Sequence, residues 1–137
     1  MENSQSQAPL IPYTSEGYLI FNVTSANRAL PIEGASIHIT GADTQNLDVE
    51  YRITTNKSGA SETIALKAPS KNISLSPGAP YGYARYNAEV TKEGYYTQRF
   101  SGMPVFDGVT SIQPVFLVAK APFDTQEFNP SLENETI

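Results

Sequence analysis

One histidine, fourteen carboxylate side chains and no cysteine bound the chemistry open to this sequence. A histidine general base, or a Ser-His-Asp arrangement, must use His38, the only imidazole in the chain. His38 falls between Ser36 and Thr40 on the outward side of an alternating stretch, with no carboxylate at a spacing that would orient it, and it reads as a solvated strand histidine. A carboxylate pair for glycoside cleavage would have to be drawn from Glu50, Glu62, Glu89 and Glu93, and Glu50 and Glu89 also fall on outward positions, where solvated charge is the ordinary explanation. Asp43 and Asp48 are too isolated for the clustered oxygen ligands of a calcium loop, and without cysteine there is no thiolate site. The expectation is no catalytic residue, no metal and no cofactor, hence not an enzyme.

The aromatic inventory is richer: eight tyrosines and no tryptophan. Tyr51, Tyr86 and Tyr95 fall on inward positions and are expected in a core. Tyr81, Tyr83 and Tyr96, with Arg85 nearby, gather at or beside a proline-rich loop, and Phe106 lies in a second loop read over Gly102 to Gly108. Together these five residues form a candidate ligand or partner surface, because aromatic faces stack on sugars or fill a partner's pocket. The bland alternative is that Tyr81 and Tyr83 only cover the open end of a β-core.

Charge narrows the partners. The net charge is −5, and residues 1–16 and 121–137 hold six of the fourteen acids and no base, leaving eight acids against nine bases over 17–120. A near-neutral body with acidic ends has no basic stripe, so neither nucleic acid nor an anionic lipid surface is an expected partner. The longest apolar run, Val115 to Ala119, is too short for membrane insertion. Met1 to Gln7 has neither the basic nor the apolar region of a signal peptide, which implies a protein kept in the cell that makes it or exported by a non-classical route.

The elements that must position these groups are strands. Leu19, Phe21 and Val23 alternate with Tyr18, Ile20, Asn22 and Thr24; Ala35, Ile37 and Ile39, then Val49, Tyr51 and Ile53, then Tyr86, Ala88 and Val90 alternate with polar residues, and Ile64 and Leu66 with Thr63 and Ala65. Turn chemistry at Asn56 to Gly59 and at Lys92 to Gly94 separates them, the latter opening a hairpin into Tyr95 to Phe100. Ala68 to Pro80 reads as a loop with at most a short extended piece around Ile73 to Leu75. Thr110 to Val118 reads as a strand on a sheet edge, or bulged, because Pro114 has no N–H to give a ladder. No stretch keeps a 3.6-residue period, so the fold expected is an all-β antiparallel sandwich of about seven strands. It spans residues 17–121, with a flexible or extended arm over 1–16 and an acidic tail over 122–137.

Gly34-Ala35 opening a strand, Thr55 to Gly59 before another, and Tyr86 to Val90 running into Gly94-Tyr95 resemble the carboxypeptidase regulatory-like domains, which implies a prealbumin-like (transthyretin-like) sandwich. Pro77 to Tyr81 and Met103 to Val115 look like the regulatory-like module of clostridial spore cortex-lytic pre-pro-enzymes and related Firmicutes proteins. The similarity covers roughly Gly17 to Pro122. It implies a non-catalytic structural or binding module in a spore or cell-envelope setting, located in the mother-cell cytoplasm or on the spore, with peptidoglycan or an envelope protein as partner. A second reading is a self-assembling subunit of a filament, spore appendage or phage-like structure, a homo-oligomer built through edge strands and tails by β-augmentation.

Overall fold

Burial alternates through Ser15–Ser25, and the chain there is extended as β1, with Gly17, Leu19, Phe21 and Val23 buried and their even-numbered neighbours facing out. The computed structural model describes residues 11–74 and 82–121. Its further strands are β2 (Ser36–Gly41), β3 (Glu50–Thr54), β4 (Ile64–Ala68), β5 (Ala84–Thr91), β6 (Gln98–Val105) and β7 (Thr110–Leu117). They form a three-stranded sheet in the order β4-β1-β7 and a four-stranded sheet in the order β3-β2-β5-β6. Among the described residues no helix is long and apolar enough to cross a membrane.

The two sheets face each other across one apolar interior. Leu19, Phe21, Val23, Leu66, Val115 and Leu117 from the first sheet meet Ile37, Ile39, Tyr86, Val90 and Val105 from the second, all at most 2 % exposed. Each such side chain contributes about 1.5–3 kcal/mol by leaving water, which outweighs the modest ladder bonds at the margins. The expected core residues Leu19, Phe21, Val23, Ile37, Ile39, Tyr86 and Val90 are in place, and the all-β sandwich is the observed architecture.

Several local expectations need correction. The sheets are not wholly antiparallel, for β1 and β7 run parallel from Tyr18↔Thr110 to Ser25↔Leu117. Tyr51 is 42 % exposed rather than core, because β3 is the margin of its sheet, with no strand beyond it to cover the ring. The stretch Gly102 to Gly108 is not all loop, since β6 continues to Val105. A bulge permits this: the register steps from Tyr86↔Met103 to Ala88↔Phe100, and Gly102 N–H donates to Asn87 Oδ1 at 3.0 Å. Lys71–Ser74 is one helical turn, α1, rather than an extended piece, while Leu75 lies outside the described residues. The arm over 1–16 is already structured by its end, as Ser15 and Glu16 pair with Ala68 and Lys67. Residues 1–10 and 122–137 lie outside the described residues.

Pro114 is placed as its chemistry requires. Val109 and Leu117 turn their carbonyls to β1, accepting from Tyr18 N–H and Ala26 N–H at 2.8 Å each. Even-numbered residues therefore face the open margin, and proline's missing donor costs the ladder nothing there. Gly59 closes the turn before β4 with φ +80, its carbonyl accepting from Val23 N–H at 2.7 Å, and a Cβ at that position would collide with the Val23 carbonyl.

Phe21→Ala should lower unfolding free energy by about 3–5 kcal/mol. Ile112→Ala, at a side chain 65 % exposed, should stay within about 0.5 kcal/mol of the parent. Equilibrium urea denaturation checks both, and equal losses would mean that the interior is not where the two sheets meet.

Candidate functional site

Two alternations meet at one end of the sandwich. Along β5 the even-numbered side chains point inward, so Arg85 emerges on the outer surface of the four-stranded sheet at its first turn of chain, while Tyr83 precedes the strand opposite Phe106. The connection from β2 to β3 folds back over Arg85 because Gly41 lets it: a Cβ there would collide with the carbonyl of Asn46. Asp43 is thereby brought under the loop and is only 4 % exposed.

Asp43 organises the end. Its Oδ1 accepts from Arg85 Nε at 2.7 Å, and its Oδ2 accepts from the Arg85 backbone N–H at 2.7 Å and from the Tyr13 hydroxyl at 2.8 Å. Asn46 completes the loop, taking Asp43 N–H at 2.7 Å on its Oδ1 and donating from Nδ2 to the Arg85 carbonyl at 3.0 Å. Burial, then the bond to Asp43 and its negative charge, push the Tyr13 hydroxyl well above the usual tyrosine range, so it remains a donor throughout neutral pH. A buried carboxylate is tolerable only when so fully hydrogen-bonded. The Arg85 side chain stays 40 % exposed while Asp43 is almost wholly covered.

Beside it Tyr83 and Phe106 pack with ring centroids 5.3 Å apart and planes tilted by 47°, Phe106 being 40 % exposed. The turn that carries Phe106 is tied down twice, Gly108 N–H donating to the Glu16 carbonyl at 2.8 Å and Lys71 N–H donating to Asp107 Oδ2 at 2.9 Å. The end thus presents an aromatic pair and a clamped cation on a rigid rim.

Of the five candidate surface residues the structure brings together Tyr83, Arg85 and Phe106. Tyr96 is not with them. It lies past the far end of β5, its N–H donating to the Val118 carbonyl at 2.9 Å and its ring under Lys120 Nζ at 5.7 Å, and the eight residues of β5 put roughly 25 Å between the two groups. Tyr81 lies outside the described residues. Asp43 and Tyr13 were not among the candidates, and the sequence signal for them was faint: an acid and an arginine 42 residues apart.

His38 requires a correction. Its Nε2 lies 2.7 Å from Glu50 Oε2, which also accepts from the Arg52 guanidinium at 3.2 Å, so a carboxylate does orient the ring. The partner sits on the adjoining strand, where Thr40↔Glu50 and His38↔Arg52 are cross-strand pairs. His38↔Glu89 and Glu89↔Arg99 extend the row, and Arg99 bonds Glu89 at 2.9 Å, giving a charged ladder across all four strands of the outer face. The contact with His38 and then the charge of Arg52 hold the Glu50 carboxyl below the usual glutamate range. Asp48, for its part, pairs with Lys67 at 3.2 Å. Among the described residues no three of His, Asp and Glu stand close enough to hold a metal ion.

No family model matches the chain, and no curated protein does. Solved structures share its fold. The TIE protein of Bacillus anthracis aligns over 77% of this chain and 17% of its own, at 14% identity and a TM-score of 0.52. Catechol 1,2-dioxygenase from Acinetobacter sp. ADP1 aligns over 86% of this chain and 57% of its own, at 12% identity and a TM-score of 0.56. Catechol 1,2-dioxygenase from Pseudomonas arvilla C-1 aligns over 85% and 56%, at 14% identity and a TM-score of 0.54. The chain spans less than two thirds of each of these proteins, and identities so low show a common fold alone.

Tyr13→Phe should cost about 1.5–3 kcal/mol in urea denaturation, the range for a hydrogen bond to a charged group, although the Arg85 contacts to Asp43 remain. The depressed pKa of Glu50 means that its pairing favours the folded state above the ordinary glutamate range and loses that effect as pH falls through the folded value. In a carboxyl-carbon NMR titration Glu50 should therefore titrate below the ordinary range, and His38→Gln should move it upward; no movement would detach Glu50 from His38.

Proposed function

We propose that the chain is a non-catalytic recognition module, of the regulatory-like kind that accompanies cortex-lytic enzymes, working at a Firmicutes spore or cell envelope with peptidoglycan as its ligand. The observation that carries the reading is the Tyr83–Phe106 pair beside Arg85 at one rigid end of the sandwich. An aromatic face suits the apolar side of a sugar ring, and a guanidinium suits the carboxylates of glycan-linked lactyl groups and peptide stems. Because Asp43 fixes Arg85 from beneath, little side-chain freedom is left to lose on binding. The absence of catalysis is part of the same reading, supported by the position of His38: its Nε2 faces Glu50 on an open sheet surface, not a hydroxyl nucleophile.

Co-sedimentation of the full chain with purified peptidoglycan tests the proposal, with an unrelated acidic protein of similar size as reference. Retention should exceed that reference, and Phe106→Ser should weaken it roughly tenfold, the equivalent of about 1.4 kcal/mol. Retention no greater than the reference removes peptidoglycan as the ligand. Muropeptide hydrolysis by the parent that is lost in Glu50→Gln or His38→Gln would overturn the non-catalytic reading.

A further inference from the structure

A hollow lies at the end of the sandwich opposite the Asp43 loop. Beyond β1 the chain turns back on itself: Ala29 N–H donates to the Ser25 carbonyl at 2.9 Å, Leu30 N–H donates to Ser25 Oγ at 3.1 Å, and Thr24 pairs with Pro31. Beyond β7 the chain is held by the turn that follows β5, with Tyr96 N–H donating to the Val118 carbonyl at 2.9 Å and Lys120 N–H to the Gly94 carbonyl at 2.8 Å. Between these two walls is a cavity of about 440 Å³, within the size range of small-molecule pockets. Its apolar lining comes from Leu30, Ile32, Tyr95, Leu117 and Val118, and Arg28 is the one charged residue among those that line it. Leu30 is 53 % exposed and Val118 46 %, so this apolar lining is left partly open to water.

Charge is unbalanced at this end. Arg52, Arg85 and Arg99 each pair with a carboxylate, whereas among the described residues Arg28 forms no ion pair. On the other side of Tyr95 a neighbouring cleft is lined by Lys92 and Lys120 against Glu93, while Glu33 lines neither hollow. Ala29, next to Arg28, takes φ +55 and is the one non-glycine among the described residues in the left-handed region. Strain of this kind collects at ligand clamps. We infer that the hollow binds a small amphipathic carboxylate, its aliphatic chain along Leu30, Ile32, Leu117 and Val118 and its head group on the Arg28 guanidinium. The apolar wall rewards a chain that leaves water, and the guanidinium offers a carboxylate charge-assisted hydrogen bonds. An uncharged apolar ligand would cover Arg28 without pairing it, and a cation would meet Arg28, Lys92 and Lys120. Both walls are already hydrogen-bonded in place, so little order has to be gained on binding.

An NMR titration of the full chain with decanoate, without peptidoglycan, tests the inference independently of the ligand reading for the Tyr83–Phe106 rim. Saturable shifts at Leu30, Tyr95 and Val118 are expected below about 5 mM, with Tyr83 and Phe106 unmoved. Acetate, which lacks the chain, and decyltrimethylammonium, which reverses the charge, should each bind roughly tenfold more weakly or worse. Arg28→Gln and Leu30→Ser, both at exposed positions, should each weaken decanoate about tenfold without changing the urea midpoint appreciably, and Arg99→Gln on the sheet face should leave it unchanged. No saturable shift with decanoate overturns the inference. So does an affinity indifferent to Arg28→Gln, or equal binding of decyltrimethylammonium.

Discussion

No water reaches the space between Phe21, Val23, Ile39, Tyr86 and Val90, and that dryness dictates how the margins are built. Every N–H and C=O at the rim must find a protein partner where solvent is excluded. Ser61 Oγ accepts Phe21 N–H at 2.9 Å, and Thr55 Oγ1 accepts Ala35 N–H at 2.9 Å while donating to the Ile32 carbonyl at 2.7 Å. The Tyr86 ring lies fully in the interior while its hydroxyl donates to the Lys67 carbonyl at 2.6 Å on the outer margin of β4, and burial pushes its pKa up to about 12. Tyr51 does the same more loosely, reaching the Ala65 carbonyl at 3.4 Å. The two tyrosines tie β5 and β3 across to the β4 backbone, and Asp43 closes the end by the same logic with a full charge.

That logic links core to function. Arg85 stands on the surface because its neighbours Ala84 and Tyr86 point inward, and it stands still because Asp43 has no other way to be buried. The aromatic rim formed by Tyr83 and Phe106 then borrows the rigidity of the Asp43 loop and of the turn anchored by Asp107. The opposite arrangement holds on the charged face, where Glu50 and Arg52 are exposed and their pairing adds little to stability.

Period-two alternation made β1, β2, β4 and β5 legible, and with them nearly all of the core, because one face of each is dry. It failed at Tyr51, since alternation names a direction and cannot say whether an opposing sheet lies there. It failed at Gly102 and Pro104, where a bulged marginal strand tolerates residues that punctuate a central one. The parallel partnership of β1 with β7 leaves no trace in either strand's pattern, although Pro114 did point to a margin. The organising pairs of the candidate end, Asp43 with Arg85 and with Tyr13, span 42 and 30 residues. His38 and Glu50 are 12 apart. Such partners become visible only when strand register is known.

The parallel pairing of β1 and β7 also has a mechanical meaning. Residues 11–14 approach at the Asp43 end, whereas Lys120 leaves at the other, its N–H held by the Gly94 carbonyl at 2.8 Å. Tension drawn between these two points slides β1 along β7, so their evenly spaced bonds are strained simultaneously in shear instead of being peeled one after another. Pulled from these two ends, the β1–β7 ladder would have to part along its whole length at once.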